Sequence, residues 1–402
     1  MPSKPQSRIE FIALMAMMVA TVAFSVDSML PALPEIAQDL TPDRLNHAQL
    51  IITAFAMGMG IGTLFTGPLS DTFGRKPVIV ATAALYIIGA ALSYLAPTIE
   101  LMIAARVLQG LGAAGPRTIS MAVIRDLYSG REMARLMSFV MMVFTMIPAV
   151  APLIGLGIMS ITGWRGIFLA FILFSVISTL WMSLRLDEPL PKDRRRSLDL
   201  RRLATASREM LSIAMVRQSI FVQTMCFGML FTSITMIQQI FDQTFDKSAS
   251  FTFWFFSMAL CGACANMLNA ALVVRIGMWR IATGMLALLI LASLLMLGFY
   301  ATDPALGALF IGYLLWQAMV FFQMGMTLGN LNAMAMGPLG HIAGLASSII
   351  GALSTVGGAV IGSVVGQMFD GTPQPLITAC AIMSAAAFAT MLRMNNLEAR
   401  AA

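Results

Sequence analysis

The sequence predicts an all-α membrane protein with twelve transmembrane helices in two six-helix bundles, and three observations carry that reading. Of the 402 residues 58% are hydrophobic and only 11% charged, with a mean hydropathy of +0.84. Soluble domains carry about 25% charged residues, so composition excludes a water-soluble globule. Twelve apolar stretches approach or reach the roughly 17–25 residues that a helix needs to cross a bilayer. The basic residues are also unevenly sided. With the N-terminus inside, the inner loops, tails and adjoining span ends hold all 25 Lys and Arg except Arg44, Arg165 and Lys247 on the opposite side and Arg106 and Arg117 deeper within a span. That bias predicts that both termini are cytoplasmic.

The spans follow in order. The first, 9–30, begins with a basic end like a signal peptide, but it is long and eleven further spans follow it, so an uncleaved helix is expected. Spans 47–66 and 78–96 flank the polar segment GPLSDTFGRKP. Span 101–124 carries Arg106 and Arg117, span 134–160 carries Pro148 and Pro152, and span 166–186 closes the first half. The longest polar interruption, from Asp187 to about Met215, contains Arg194, Arg195 and Arg196 in succession. Its later part, with Arg201, Arg202, Leu203, Arg208, Met210 and Leu211, reads as a short amphipathic helix on the membrane surface. Spans 217–241, 250–273, 280–300, 305–331, 344–367 and 375–392 complete the chain. The expected division is an N-terminal bundle over 1–190, a cytoplasmic linker over 191–215 and a C-terminal bundle over 216–402. Advancing 203 residues from Gly74 reaches Gly277, whose surroundings repeat the glycine-and-base character of the first turn, with Val274 where Asp71 would stand.

The net charge of +6 is a matter of topology, because no aromatic-basic interleaving suggests a nucleic-acid platform. Cys261 and Cys264 have redox spacing but lie inside a span without a second ligand pair. No cluster of His, Cys and carboxylates has metal spacing and no nucleophile–base pair stands out, so neither an enzyme, a cofactor nor a metal is expected. The expected partners are the lipid bilayer and small lipophilic molecules, and the chain is expected to be a monomer.

Asp27 is the candidate for proton chemistry. It lies near the outer end of the first span, and apart from Glu10 at the opposite edge no acid falls in the apolar part of any span. An ionisable group there costs about 2.5–3.5 kcal/mol on insertion scales, so it should face a protein interior or a cavity. Arg106 sits at similar depth and is the expected partner, holding Asp27 ionised until a proton neutralises it. Arg117 follows eleven residues later on the same stripe as Gly110 and Ala113, about 16 Å further along, which suggests a cavity lining. Snorkelling to the surface is the other reading of Arg117.

In GPLSDTFGRKP, Gly67 and Gly74 are expected to permit positive φ and close approach, and Asp71 to cap a helix N-terminus. Arg75 and Lys76 are expected to pair with acids at the ends of spans two and four, Asp126 among them, forming a cytoplasmic gate. Pro148 and Pro152, with Gly155, should bend span five. Gly358, Gly362 and Gly366 give span eleven a close-packing stripe. Gln109, Phe231, Gln238, Trp316, Gln317 and Phe322 are candidates for an amphiphilic cargo cavity.

These motifs together resemble the major facilitator superfamily, in particular its twelve-span drug:proton antiporter branch. Gly67, Asp71, Gly74, Arg75, Lys76 and Pro77 match its G-x-x-x-D-x-x-G-R-K-P loop, and Arg106, Gln109, Gly110 and Gly112 match its fourth-helix R-x-x-Q-G-x-G pattern. Pro148–Gly155 resembles the antiporter motif of helix five, with Ala151 and Leu156 departing from it, and 344–366 resembles helix eleven of the bicyclomycin and chloramphenicol exporters. The resemblance implies two related bundles with a midplane site, a hinge at Pro148, Pro152 and Gly155, no cofactor beyond the coupling proton, and multidrug efflux across a bacterial inner membrane. Sugar or metabolite efflux would call for more polar pairs in the cavity. A sensor or scaffold would need a sizeable soluble domain, and the longest non-membrane stretch has only about thirty residues.

Overall fold

The computed structural model describes residues 7–195, 198 and 200–401. Arg196 lies outside the described residues, as do the side chains of Arg202 and Leu203. Among the described residues all regular structure is helical, and the chain divides into two compact units, Met1–Leu203 and Ala204–Ala402.

The first unit contains α1 (Arg8–Asp27), α2 (Leu33–Leu40), α3 (Leu50–Phe73), α4 (Arg75–Leu95), α5 (Ile99–Leu127), α6 (Gly130–Thr162) and α7 (Gly166–Arg185). The second contains most of α8 (Leu200–Ser212), then α9 (Ala214–Gln239), α10 (Phe251–Ile276), α11 (Met278–Ala301), α12 (Leu306–Met336), α13 (Ala343–Gly366) and α14 (Gln374–Ala401). Eleven helices among the described residues are long and apolar enough to cross a membrane. The remaining long helix is α5, which has ample length at 29 residues. Its glycines, Gln109, Pro116 and two internal arginines dilute its hydropathy, so one of the twelve expected spans does not stand out by composition.

Helix α5 is the axis of the first unit. It presses against α3 and α4 so closely that a Cβ added at Gly58 or Gly110 would collide with the carbonyl oxygen of Val107 or Phe55. One added at Gly112 would strike the backbone of Tyr86. Ala113 is fully buried, so the Gly110–Ala113 stripe is a helix–helix contact rather than the expected cavity lining. Small residues let backbones approach where lipid is as apolar as any side chain. Helix α6 runs unbroken through Pro148 and Pro152, although each proline removes a donor to the carbonyl four residues earlier. Gly155 meets the Ser28 carbonyl just past the end of α1. The loop after α1 also holds α2, not expected from sequence, whose Asp39 accepts a 2.9 Å bond from Trp164 at the α6–α7 turn.

In the second unit Gly358 and Gly362 of α13 meet Phe227 and Phe231 of α9, as close packing of that stripe requires. The α10–α11 turn is the single residue Gly277, with φ 92° and ψ 147°, close to the φ 103° and ψ 158° of Gly74 between α3 and α4. A Cβ added at Gly277 would meet nothing within 4 Å, whereas one added at Gly74 would strike the side chains of Arg195 and Glu188.

Gly110→Ala should destabilise the folded protein by about 1–3 kcal/mol through overpacking, while Gly157→Ala, with open space around it, should be neutral or slightly stabilising. Thermal unfolding of the two purified variants in detergent checks the contrast.

Candidate functional site

Arg106 is fully buried. Its Nε donates to the Ile51 carbonyl of α3 at 3.2 Å, Nη1 to Gln109 Oε1 at 2.7 Å, and Nη2 to the Ser25 carbonyl of α1 at 2.9 Å. The guanidinium also lies 4.5 Å from the centre of the Phe55 ring. The Ser25 hydroxyl in turn shares a hydrogen bond with the Tyr86 hydroxyl of α4. Arg106 therefore joins α1, α3 and α5, and Gln109 belongs to this cluster rather than to a cargo surface.

Asp27 is the last residue of α1 and only 4% exposed. Among the described residues it makes no ion pair or hydrogen bond, and the expected pair with Arg106 is not formed. Helix rotation explains the miss. At about 100° per residue the Asp27 side chain points about 200° away from that of Ser25, so α1 offers Arg106 a carbonyl and not a carboxylate.

Arg117 is half-buried, with Nη1 3.7 Å from Met59 Sδ and the guanidinium 5.9 Å from the centre of the Phe144 ring.

The GPLSDTFGRKP segment is not a loop of eleven residues. Helix α3 continues to Phe73, α4 begins at Arg75, and Gly74 alone makes the turn. Gly67 is helical, so only Gly74 uses positive φ. Arg75, 8% exposed, donates from Nε to Asp126 at 2.7 Å and from Nη1 to Asp71 at 2.6 Å and to Ser70 Oγ at 2.7 Å. The ends of α3, α4 and α5 are thereby clipped together, with Asp71 engaged by Arg75. Lys76 departs from the expectation of an acidic partner. Its Nζ donates to the Ser183 and Leu186 carbonyls at 2.6 and 2.9 Å, capping the C-terminal end of α7 where a cation is favoured.

Sequence reasoning missed Glu188, which lies in the polar segment read as a linker and a surface helix. Its carboxylate accepts from the Arg75 and Lys76 amides at 2.8 and 2.9 Å, capping α4, and from Leu190 N at 3.0 Å. An acid directly after a span and before Pro189 is the only available sequence signal.

The aromatic cargo candidates serve packing in the second unit. Trp316 is 3% exposed and donates to Ser293 Oγ of α11 at 3.0 Å. Phe231 packs on Gly362, and Phe322 lies against the cluster of Ala265, Ile281 and Met326. Gln317 is fully buried, and Gln238 is 3% exposed. Asn269 and Asn330 satisfy each other across α10 and α12 at 2.8 and 3.3 Å.

The chain is similar over its whole length to a bicyclomycin resistance protein homolog of Haemophilus influenzae, at 31% identity over 99% of this chain and 100% of that one. It is 37% identical to the multidrug resistance protein MdtL of Escherichia coli over 40% of each chain. Among solved structures, a D-xylose–proton symporter superposes with a TM-score of 0.76 at 15% identity, covering 96% of this chain and 97% of the other. The human organic anion transporter MFSD10 does so with a TM-score of 0.66 at 18% identity, covering 96% and 100%. Both structural likenesses concern the fold. Residues 13–363 match the profile of the Major Facilitator Superfamily, and the chain is a multi-pass membrane transporter that belongs to that family.

Proposed function

We propose that the protein exports lipophilic or amphiphilic small molecules across a bacterial cytoplasmic membrane in exchange for protons, by alternating access. The names of the full-length and partial relatives, bicyclomycin resistance and multidrug resistance, support export as the direction. The observation that carries proton coupling is Asp27, a carboxyl 4% exposed within an apolar helix and, among the described residues, without a cation beside it. Taking up a proton removes its charge and releasing the proton restores it, so the two protonation states favour different surroundings. Each pH unit supplies about 1.4 kcal/mol and each 100 mV about 2.3 kcal/mol per charge moved. Arg106 acts in this reading by holding α1, which carries the carboxyl, to α3 and α5, not by pairing with it. Pro148, Pro152 and Gly155 serve as the hinge beside the end of α1.

The cluster of Asp71, Arg75, Asp126 and Glu188 serves as a latch on the end of the unit that also bears Glu10, the end expected to face the cytoplasm. Asp71 and Asp126 keep part of their surface in water while Arg75 is buried, so the carboxylates can exchange Arg75 for water during a transport cycle.

In proteoliposomes with an imposed pH gradient, Asp27→Asn should abolish proton-driven efflux of a lipophilic drug while leaving the protein folded and able to bind it. Full pH-driven efflux by that variant would sink the proposal. Asp126→Asn and Glu188→Gln should each slow turnover several-fold without changing proton stoichiometry, measured in the same vesicles. Wild-type rates in both would remove the latch.

A further inference from the structure

We infer that Arg117 receives an anionic group of the transported molecule. Arg106 and Arg117 are both cations inside α5, but their surroundings differ. Arg106 has three oxygen acceptors and is sealed from solvent. Arg117 has five N–H donors, and its contacts are a thioether sulfur at 3.7 Å and the Phe144 ring at 5.9 Å. A thioether is a weak acceptor, so the guanidinium keeps most of its hydrogen-bonding capacity.

No acid of its own unit answers it among the described residues. Glu10 is engaged by Arg185, and Asp71 and Asp126 are engaged by Arg75. Asp27 lies beyond the level of Ser25 and Arg106, and Arg117 is about 16 Å along α5 in the other direction.

Snorkelling does not explain the side chain. Arg117 precedes Asp126 by nine residues, about 13 Å along the helix, and side chains in helices lean toward the N-terminus, away from that end. Met59 confirms the direction: its backbone nitrogen lies beside Gly110, a full seven residues earlier on α5, and its sulfur meets the Arg117 guanidinium. The charge is therefore held at the middle of the unit, only partly buried, between apolar Met59 and Phe144. A carboxylate, sulfonate or phosphate on an aromatic body matches that combination, because a planar guanidinium binds such groups in a bidentate manner.

Arg117 has this role only if the chain exports small molecules as proposed above, and the test separates the two ideas. Full-length protein in proteoliposomes is offered 2-naphthalenesulfonate, 2-naphthamide and 2-naphthyl-trimethylammonium, with binding followed by fluorescence and efflux driven by a pH gradient. The sulfonate should bind at least tenfold tighter than the other two. Arg117→Gln should weaken the sulfonate at least tenfold and leave the amide unchanged, and Arg117→Lys should recover part of the loss. Equal or tighter binding of the ammonium compound, no binding of the sulfonate, or sulfonate binding indifferent to Arg117→Gln overturns the inference. Efflux of the amide or ammonium compound without the sulfonate would overturn it while leaving export intact, whereas no efflux of any of the three, or of a lipophilic drug, counts against export itself.

Discussion

A charge taken out of water must be given dipoles in return, and the interior of the first unit is arranged around that requirement. A charged side chain at the centre of a membrane helix costs about 2.5–3.5 kcal/mol on insertion scales. Hydrogen bonds to a charged group return about 1.5–3 kcal/mol each, so the three made by Arg106 can offset the cost without a carboxylate. Two of the acceptors are main-chain carbonyls on other helices, and a side chain reaches them only if those helices nearly touch α5. Gly58 and Gly110 make that approach possible for α3. Helix packing and charge burial are thus one problem with one solution.

The end near Gly74 meets the same requirement differently. Water is close, so acids and bases can meet directly, and helix termini supply further partners. Glu188 serves the amides opening α4, and Lys76 serves the carbonyls closing α7. Arg75 links the side chains of α3 and α5. Four helix ends are therefore held by three residues, and the first residues after α7 are part of the assembly rather than a passive tether.

The spans were legible in the sequence because apolar length and basic sidedness are one-dimensional properties. The Arg75–Asp126 contact was also within reach, since both residues stand at helix ends whose order the span count supplies. For Asp27 and Arg106 the sequence specifies depth, and depth says nothing of azimuth; two residues of helix rotation separate the Ser25 carbonyl from the Asp27 carboxylate. The cargo candidates Trp316 and Phe231 meet a related difficulty. Lipid-facing, core-facing and cavity-facing surfaces of a membrane helix are all apolar, so composition does not distinguish them. Glu188 escaped because it lies among other charges where no pattern marks it. Gly67 escaped because a glycine and a proline at a helix end look the same in sequence whether the helix stops there or runs on to Phe73.

The Arg106 cluster also bears on how such a site would look to genetics. Any amino acid at Ile51 or Ser25 presents the same peptide carbonyl, so two of the three acceptors cannot be deleted by changing a side chain. A mutational scan would register Arg106 and the glycines that admit it, yet remain nearly blind to the groups that hold its charge. The chemistry is written in backbone atoms, and its robustness comes from being invisible to codon change.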